Sequence, residues 1–279
     1  YNFAHIVDDA EMKVSHIIRG QEFISSTANY LNLYEALNLT PPIMATVPHI
    51  LQPEGSKKLG KRDGAKDILD YATQGYLPQA MMSFLATLGW NDGTEQEVFN
   101  KDELIAKFSL DRVQRSGARF DERRLLWTNG HFIREMTLDE LYDKVTDFWP
   151  KSADKSAEAY KKQVLSAVQE RLKHFSELPE LTEFFFKKPK FDISLVENDK
   201  KLKKVDIKDL ALLLNTSIKT LEKCDFNPDN LREHLDGLLA QTGQKPAILL
   251  GIIRLALTRV ASSPNLAQTL QVLGKAESI

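Results

Sequence analysis

Thr137-Leu138-Asp139-Glu140-Leu141-Tyr142-Asp143-Lys144-Val145-Thr146-Asp147-Phe148-Trp149-Pro150 is the stretch that decides the architecture of the second half of the chain. Leu138, Leu141, Tyr142, Val145, Phe148 and Trp149 recur at helical spacing and form one apolar stripe, which Pro150 stops. The pattern then repeats. Val164, Leu165, Val168, Leu172 and Phe175 make a second stripe that ends before Pro179, and Leu210 to Leu214, Leu231 to Leu239, Ile248 to Val260 and Leu266 to Leu273 follow. These stripes predict the core of a helix bundle. Between them, Lys187 to Lys204 is charged, contains Pro189 and has no period, and it reads as a linker or hinge between two helical domains.

Upstream the pattern changes. Phe3-Ala4-His5-Ile6-Val7-Asp8-Asp9 is a short apolar run ending in acids and reads as a first strand; Val14 to Ile18 reads as a second, stopped by Arg19-Gly20. Ser26 to Leu37 carries Leu31, Leu33, Tyr34 and Leu37 near helical spacing, and Pro41-Pro42 ends the unit. Strands alternating with a helix predict part of a parallel sheet, with the remainder expected upstream. Residues 51–77 read as a loop rich in Gly, Lys and Pro. Helix resumes after Pro78, where Ala80, Met81, Phe84, Leu85 and Leu88 keep helical spacing before Gly89, and Leu104-Ile105 with Phe108 and Leu125-Leu126-Trp127 continue it.

The bulk figures bound the function. A length of 279 residues suits two or more domains. Net charge is -2, so the chain as a whole is not a polycation, and any nucleic-acid binding must come from local patches. The most apolar stretch, Ala247 to Ala256, contains Arg254 and falls well short of the roughly 20 residues of a membrane helix, which predicts a buried amphipathic helix and no membrane partner. Cys224, the single cysteine, excludes an intrachain disulfide and a cysteine-rich zinc site and fits a reducing compartment. The chain opens on Tyr1-Asn2-Phe3 without a signal-peptide pattern, which reads as the middle of a longer protein.

Two groups of residues carry chemistry. Lys57-Lys58-Leu59-Gly60-Lys61-Arg62-Asp63-Gly64-Ala65 places four cations within six residues beside glycines. It reads either as a loop that meets charge developing on transferring phosphates or as a solvated surface loop. Arg19 follows an apolar strand, at the carboxyl end where open α/β sheets bind ligands, and a guanidinium there suits a carboxylate. Taken alone it reads equally as a surface or ion-paired residue.

In order and spacing these pieces resemble the glutamyl-tRNA synthetases of bacterial type. Tyr1-Asn2-Phe3-Ala4, Val7-Asp8-Asp9, Met12 and His16-Ile17-Ile18-Arg19-Gly20 are similar to the segment entering the second half of that family's nucleotide-binding fold. Leu33-Tyr34-Glu35-Ala36-Leu37 and Pro48-His49-Ile50-Leu51 follow, and the basic loop falls where the second class I signature, usually written KLSKR, belongs. Gly75-Tyr76-Leu77-Pro78-Gln79-Ala80, Leu88-Gly89-Trp90, Phe120-Asp121, Arg254-Leu255-Ala256-Leu257-Thr258, Ser263-Pro264 and Leu273-Gly274-Lys275 continue the likeness to the end of the chain.

The resemblance implies an α/β plus all-α protein: the second half of a Rossmann-like catalytic domain over 1–50, the signature loop and a stem-contact region over 51–135, and helical anticodon-binding subdomains over 136–205 and 206–279. It implies a cytoplasmic monomeric ligase that joins glutamate to its tRNA through a glutamyl-adenylate, with ATP as substrate, Mg2+ accompanying it, and no zinc. Tyr1, His5 and Arg19 would line the glutamate pocket, with Arg19 pairing the side-chain carboxylate. Glu22 and Leu51 would contact the nucleoside part of ATP. Lys58, Lys61 and Arg62 would belong to the catalytic loop, Lys61 nearest the phosphates and so counted with the ATP contacts. Arg134 and Lys187 to Lys204 are candidate faces for RNA. The helical tail separates this chain from the glutaminyl enzymes, whose anticodon region is a β-barrel, and from short enzymes without one. Three departures stand out. Gly60 replaces the signature's usual serine, Gln21-Glu22-Phe23 stands where an acidic pair and a His or Trp are common, and the HIGH-type first signature is absent. The chain by itself is therefore expected to be inactive, and the alternative is a catalytically retired paralogue that binds tRNA.

Overall fold

Two strands of five residues, β1 (His16–Gly20) and β2 (Ile43–Val47), pair in parallel, with Ile17 beside Met44 and Arg19 beside Thr46. Parallel strands need a crossover, here α2 (Ile24–Ala36). Side chains alternate across the pair: Ile17 is buried, whereas Ile18 is exposed. On the covered side, α1 (Asn2–Glu11) and α2 bring Ile6, Tyr30 and Tyr34 together, with Leu33, Leu39 and Met44 packed around them. This computed structural model describes residues 1–60, 66–261 and 263–279, which divide into two units, 1–129 and 130–279.

The first unit corrects the sequence reading at both ends of the sheet. The apolar run from Phe3 to Val7 is not a strand but the middle of α1. So short a run does not separate period 2 from period 3.6. The helix satisfies it better, because only Ile6 needs burial, and His5 and Asp9 face each other one turn apart at 3.2 Å. The second strand of the sheet is β2, directly after Pro41-Pro42, where the sequence reading ended the unit.

The remainder of this unit is helical. α3 (Ile68–Thr73) occupies part of the stretch read as loop, opened by a reciprocal cap between Asp67 and Asp70. α4 (Pro78–Thr87) starts with proline at its first position, where the missing N–H is not needed. With α6 (Glu122–Glu135) these helices enclose Tyr71, Tyr76, Met81, Phe84, Leu88 and Leu125. Trp90, Phe99 and Leu104 form a smaller core beside α5 (Lys101–Lys107). Asn129, fully buried on α6, accepts a hydrogen bond from the buried Leu77 N–H at 2.8 Å and so tethers the start of α4.

In the second unit the stripe from Leu138 folds as α7 (Leu138–Lys144), capped by Thr137 and Glu140, and tightens into a 3-10 turn over Thr146–Phe148. α8 (Glu158–Val168) and α9 (Leu178–Phe186) follow and bury Val164, Leu165, Val168, Phe184 and Phe185. The charged segment contains structure of its own. α10 (Ser194–Asn198) and a turn at Leu202–Lys204 plant Val196 and Leu202 in the core shared by α11 (Ile207–Leu221), α12 (Pro228–Thr242), α13 (Pro246–Thr258) and α14 (Leu266–Ser278). Gly243 ends α12 in the left-handed conformation, φ +64, that glycine adopts without a Cβ penalty. Among the described residues no helix is long and apolar enough to cross a membrane.

The Asn129 tether gives a direct test. Asn129→Ala leaves the buried Leu77 N–H without its acceptor, and urea unfolding should show a loss of about 1–3 kcal/mol. An unchanged midpoint would mean that another acceptor replaces it.

Candidate active site and nucleic-acid contacts

β1 ends at Arg19-Gly20, on the edge where both parallel strands present their carboxyl ends. Arg19 shares the covered side of the pair with Ile17, and its guanidinium lies over two aromatic rings, 5.1 Å from Phe23 and 5.4 Å from Tyr30. Phe23 follows from the 3-10 turn Gln21–Phe23 that closes β1, and Tyr30 comes from the middle of α2. Such stacking orients a guanidinium without neutralising it. Among the described residues no carboxylate lies within ion-pair distance of Arg19.

Tyr1 and His5 stand on the same side. Their rings are 5.9 Å apart, and His5 meets Tyr30 edge-on at 4.7 Å. The nearby carboxylate, Asp9, is already engaged: its Oδ2 faces His5 Nδ1 at 3.2 Å and accepts from the Tyr34 hydroxyl at 3.3 Å. His5 Nε2 is buried without a hydrogen-bond partner. The Tyr1 phenol is raised, first by its hydrogen bond with Tyr30 and then by desolvation, while the charge of Arg19 pulls it down. Tyr34 is likewise raised by burial, then by Asp9, and lowered by Arg19. Tyr1, His5 and Arg19 therefore belong to one cluster, to which the sequence reading had not assigned Phe23, Tyr30 or Tyr34.

Glu22, Leu51 and Lys58 form a second cluster next to it along the chain. Lys58 Nζ donates to Glu22 Oε1 at 2.8 Å, and His49 Nδ1 lies 3.4 Å from the other carboxylate oxygen. The Lys58 hydrogen bond is the leading reason that Glu22 titrates below the usual carboxylate range. Gly20 leaves room for that carboxylate to fold back over the end of β1, since a Cβ there would meet Glu22 Oε2. Leu51 is fixed through its backbone, its N–H donating to Ala118 O at 2.8 Å and its carbonyl accepting from Phe120 N–H at 3.0 Å, with Lys58 antiparallel on its other side. A Cβ at Gly117 would come within 2.7 Å of the His49 carbonyl, so this approach needs glycine. Lys61 and Arg62 lie outside the described residues.

Among the described residues no three His, Cys, Asp or Glu side chains come close enough to hold a metal ion.

In the second unit, Arg254 on α13 has its Nε buried without a hydrogen-bond partner. Burial, and then the like charge of Arg171, lower its pKa. Arg134 sits over Gly130, where an added Cβ would lie 3.0 Å from its Nη1.

Comparison with known proteins bears on both units. The family described as tRNA synthetases class I (E and Q), catalytic domain, matches residues 1–127, and the anticodon binding domain family matches residues 140–279. A glutamate–tRNA ligase of Dehalococcoides mccartyi is 36% identical over 281 residues, covering 99% of this chain and 57% of the relative. Its counterpart from Methylacidiphilum infernorum is 35% identical over 280 residues, covering 99% of this chain and 62% of its own length. The crystal structure of a glutamate tRNA ligase from Elizabethkingia meningosepticum in complex with its amino acid superposes with a TM-score of 0.81 at 27% identity, over 100% of this chain and 58% of that one. The chain thus spans about three-fifths of the length of the relatives it matches. By its two matched regions it belongs to the class I tRNA synthetases of the glutamate and glutamine group, catalytic-domain sequence first and anticodon-binding domain second.

Proposed function

We propose that this chain is the carboxyl-terminal portion of a cytoplasmic, monomeric ligase that attaches glutamate to its tRNA. The observation that carries the proposal is Arg19: an oriented guanidinium at the carboxyl edge of a parallel sheet, stacked on Phe23 and Tyr30 and unpaired among the described residues. A site of this kind takes a carboxylate. Glutamate differs from glutamine by the charge of its distal carboxyl group, and a cation is the group that distinguishes them strongly. Tyr1 and His5 would close the pocket. The relatives' names, glutamate–tRNA ligase, agree with that substrate.

The reaction we assign has two steps. The substrate's own carboxylate attacks the α-phosphorus of ATP, giving glutamyl-adenylate and pyrophosphate; a hydroxyl of the tRNA's terminal adenosine then attacks the acyl carbon, and AMP leaves. No protein nucleophile is required. The chain's residues would position the reactants and offset developing charge. Glu22 and Leu51 would touch the nucleoside part of ATP. Lys58, Lys61 and Arg62 would meet the phosphates, Lys58 by exchanging Glu22 for a phosphate oxygen. An exposed ion pair contributes little, so the exchange is inexpensive. In this reading residues 1–50 complete a nucleotide-binding domain, residues 51–135 carry the loop and contact the tRNA stem, and 136–205 with 206–279 read the anticodon.

Three outcomes follow. In the full-length protein, Arg19→Ala should lower kcat/KM for glutamate by about 2–5 kcal/mol in transition-state binding while leaving tRNA affinity nearly unchanged. Wild-type kinetics with glutamate would remove Arg19 from the pocket. Lys61→Ala should lower kcat by a factor on the order of 10², with a smaller effect on the KM for ATP, because its charge is needed most when the phosphate transition state forms; steady-state kinetics at saturating ATP read this directly. The chain alone, spanning 57% of its relative's length, should catalyse no glutamate-dependent ATP–pyrophosphate exchange even with tRNA present. Exchange above background would show that these residues suffice for adenylate formation.

A further inference from the structure

Asp9 is a charged group of the Arg19 cluster to which the reaction gives no part. It lies on α1, one turn from His5, with Tyr34 of α2 against it. His5 Nδ1 is 3.2 Å and the Tyr34 hydroxyl 3.3 Å from the same carboxylate oxygen, Oδ2. An ionised carboxylate only accepts, so both neighbours must donate. Tyr34 is suited to this, because burial first and the charge of Asp9 second hold its phenol in the protonated form. His5 must then carry its proton on Nδ1.

Nε2 is the other end of that ring, and it is buried without a hydrogen-bond partner. A neutral ring presents a lone pair there, and a protonated ring presents an N–H. The titratable and charged groups facing His5 are Asp9 on α1, Tyr1 at its start, Tyr30 and Tyr34 on α2, and Arg19 on β1. His5 and Arg19 share a neighbour, since the imidazole is 4.7 Å and the guanidinium 5.4 Å from the Tyr30 ring. A ligand drawn to this cluster by Arg19 is an anion, and its oxygens accept. They meet Nε2 favourably only when that nitrogen carries a proton. Of the two rings against His5, Tyr30 is 2% exposed and Tyr1 79%, so Tyr1 is the one free to give way to an entering group.

We propose that Asp9 is a positioning residue of the carboxylate site: by holding Nδ1–H of His5 it lets the ring become an imidazolium, whose Nε2–H pairs with the carboxylate that Arg19 also holds, so that ligand and proton bind together. The proposal rests on the reading of this cluster as the glutamate pocket. One proton passes from solvent to Nε2 as the carboxylate enters, and no other bond changes. The charges then balance, two cations, Arg19 and His5, against two carboxylates, Asp9 and the ligand's. Without Asp9 the imidazolium would be a second cation near Arg19 with a single carboxylate between them. The sign of the linkage follows. The ligand favours the protonated ring, so affinity is greatest at low pH, where the proton is already in place. It falls as pH rises through the range in which imidazoles titrate.

Calorimetric titration of the full-length protein with glutamate, in buffers of different ionisation enthalpy at about pH 7 and about pH 8.5, measures the proton directly. The wild type should take up part of a proton per glutamate bound, and its dissociation constant should rise with pH by up to about tenfold per unit. His5→Asn keeps a neutral donor at the same place; it should bind glutamate more weakly, take up no proton and lose the pH dependence. Asp9→Asn should also abolish the uptake, and Asp9→Glu should restore part of it. In both Asn variants the loss should appear in the KM for glutamate rather than in kcat. A merely structural Asp9 would lower the melting temperature and leave the uptake in place. Glutamate binding by the wild type without proton uptake at either pH overturns the proposal and leaves the glutamate pocket standing. Uptake that persists in His5→Asn or in Asp9→Asn overturns it as well. A full-length protein that binds no glutamate removes the pocket reading itself, and the proposal with it.

Discussion

The parallel register of β1 on β2 is the constraint from which the site is built. It sets Arg19 beside Thr46 and brings both carboxyl ends to one edge. Because parallel strands demand a crossover, α2 must run back over the pair, and this is what carries Tyr30 under the Arg19 guanidinium. The turn after Gly20 delivers Phe23 to the other contact. Aromatic faces attract the cation without removing its charge, whereas a carboxylate in the same place would consume it. Asp9, the carboxylate of the same cluster, is engaged by His5 and Tyr34. The cluster therefore keeps a positive charge oriented and without a carboxylate partner among the described residues, which is the property the proposed carboxylate site needs.

The neighbouring cluster is organised in the opposite way. Its backbone is rigid: Leu51 is bonded on one side to Ala118 and Phe120, and Gly117 permits that close approach by lacking a Cβ. Its charges are mobile in the sense that matters for exchange, since the pair between Lys58 and Glu22 is largely exposed to water. Such a pair adds little to stability and is readily traded for a stronger partner. A fixed scaffold carrying exchangeable charge suits a loop that must meet phosphates at one stage of a reaction and release them at another.

How far the sequence could be read followed the length of each signal. The helical stripes after Thr137 repeat over many residues, so period alone identifies them. Phe3 to Val7 offers one short window, and there the reading failed because a strand and a helix with one buried residue look alike. β2 was hidden by its position behind two prolines. At the site, Arg19 drew attention by following an apolar run, but the features that give it chemistry come from elsewhere in the chain. Tyr30 lies on the crossover helix, and His49, facing Glu22, comes from the loop beyond β2. Such contacts have no local signature. The Glu22–Lys58 pair, 36 positions apart, was named from family likeness without any indication that the two would meet.

A net charge of -2 over the whole chain says little about how charge is arranged within the second unit. From Lys187 to Asp209 eight lysines stand against five carboxylates, three of which accept hydrogen bonds from backbone N–H groups, so the segment carries a local excess of positive charge. Arg254 presents the same economy in a buried setting. Leaving a guanidinium nitrogen without a partner, with Arg171 adding like charge, is unfavourable in the free protein. A single acidic side chain nearby would relieve it. Burial of that nitrogen is a local cost of folding, and the packing of Leu249, Ile252, Ile253, Leu255 and Leu257 from the same helix into the core is what keeps α13 in place despite it.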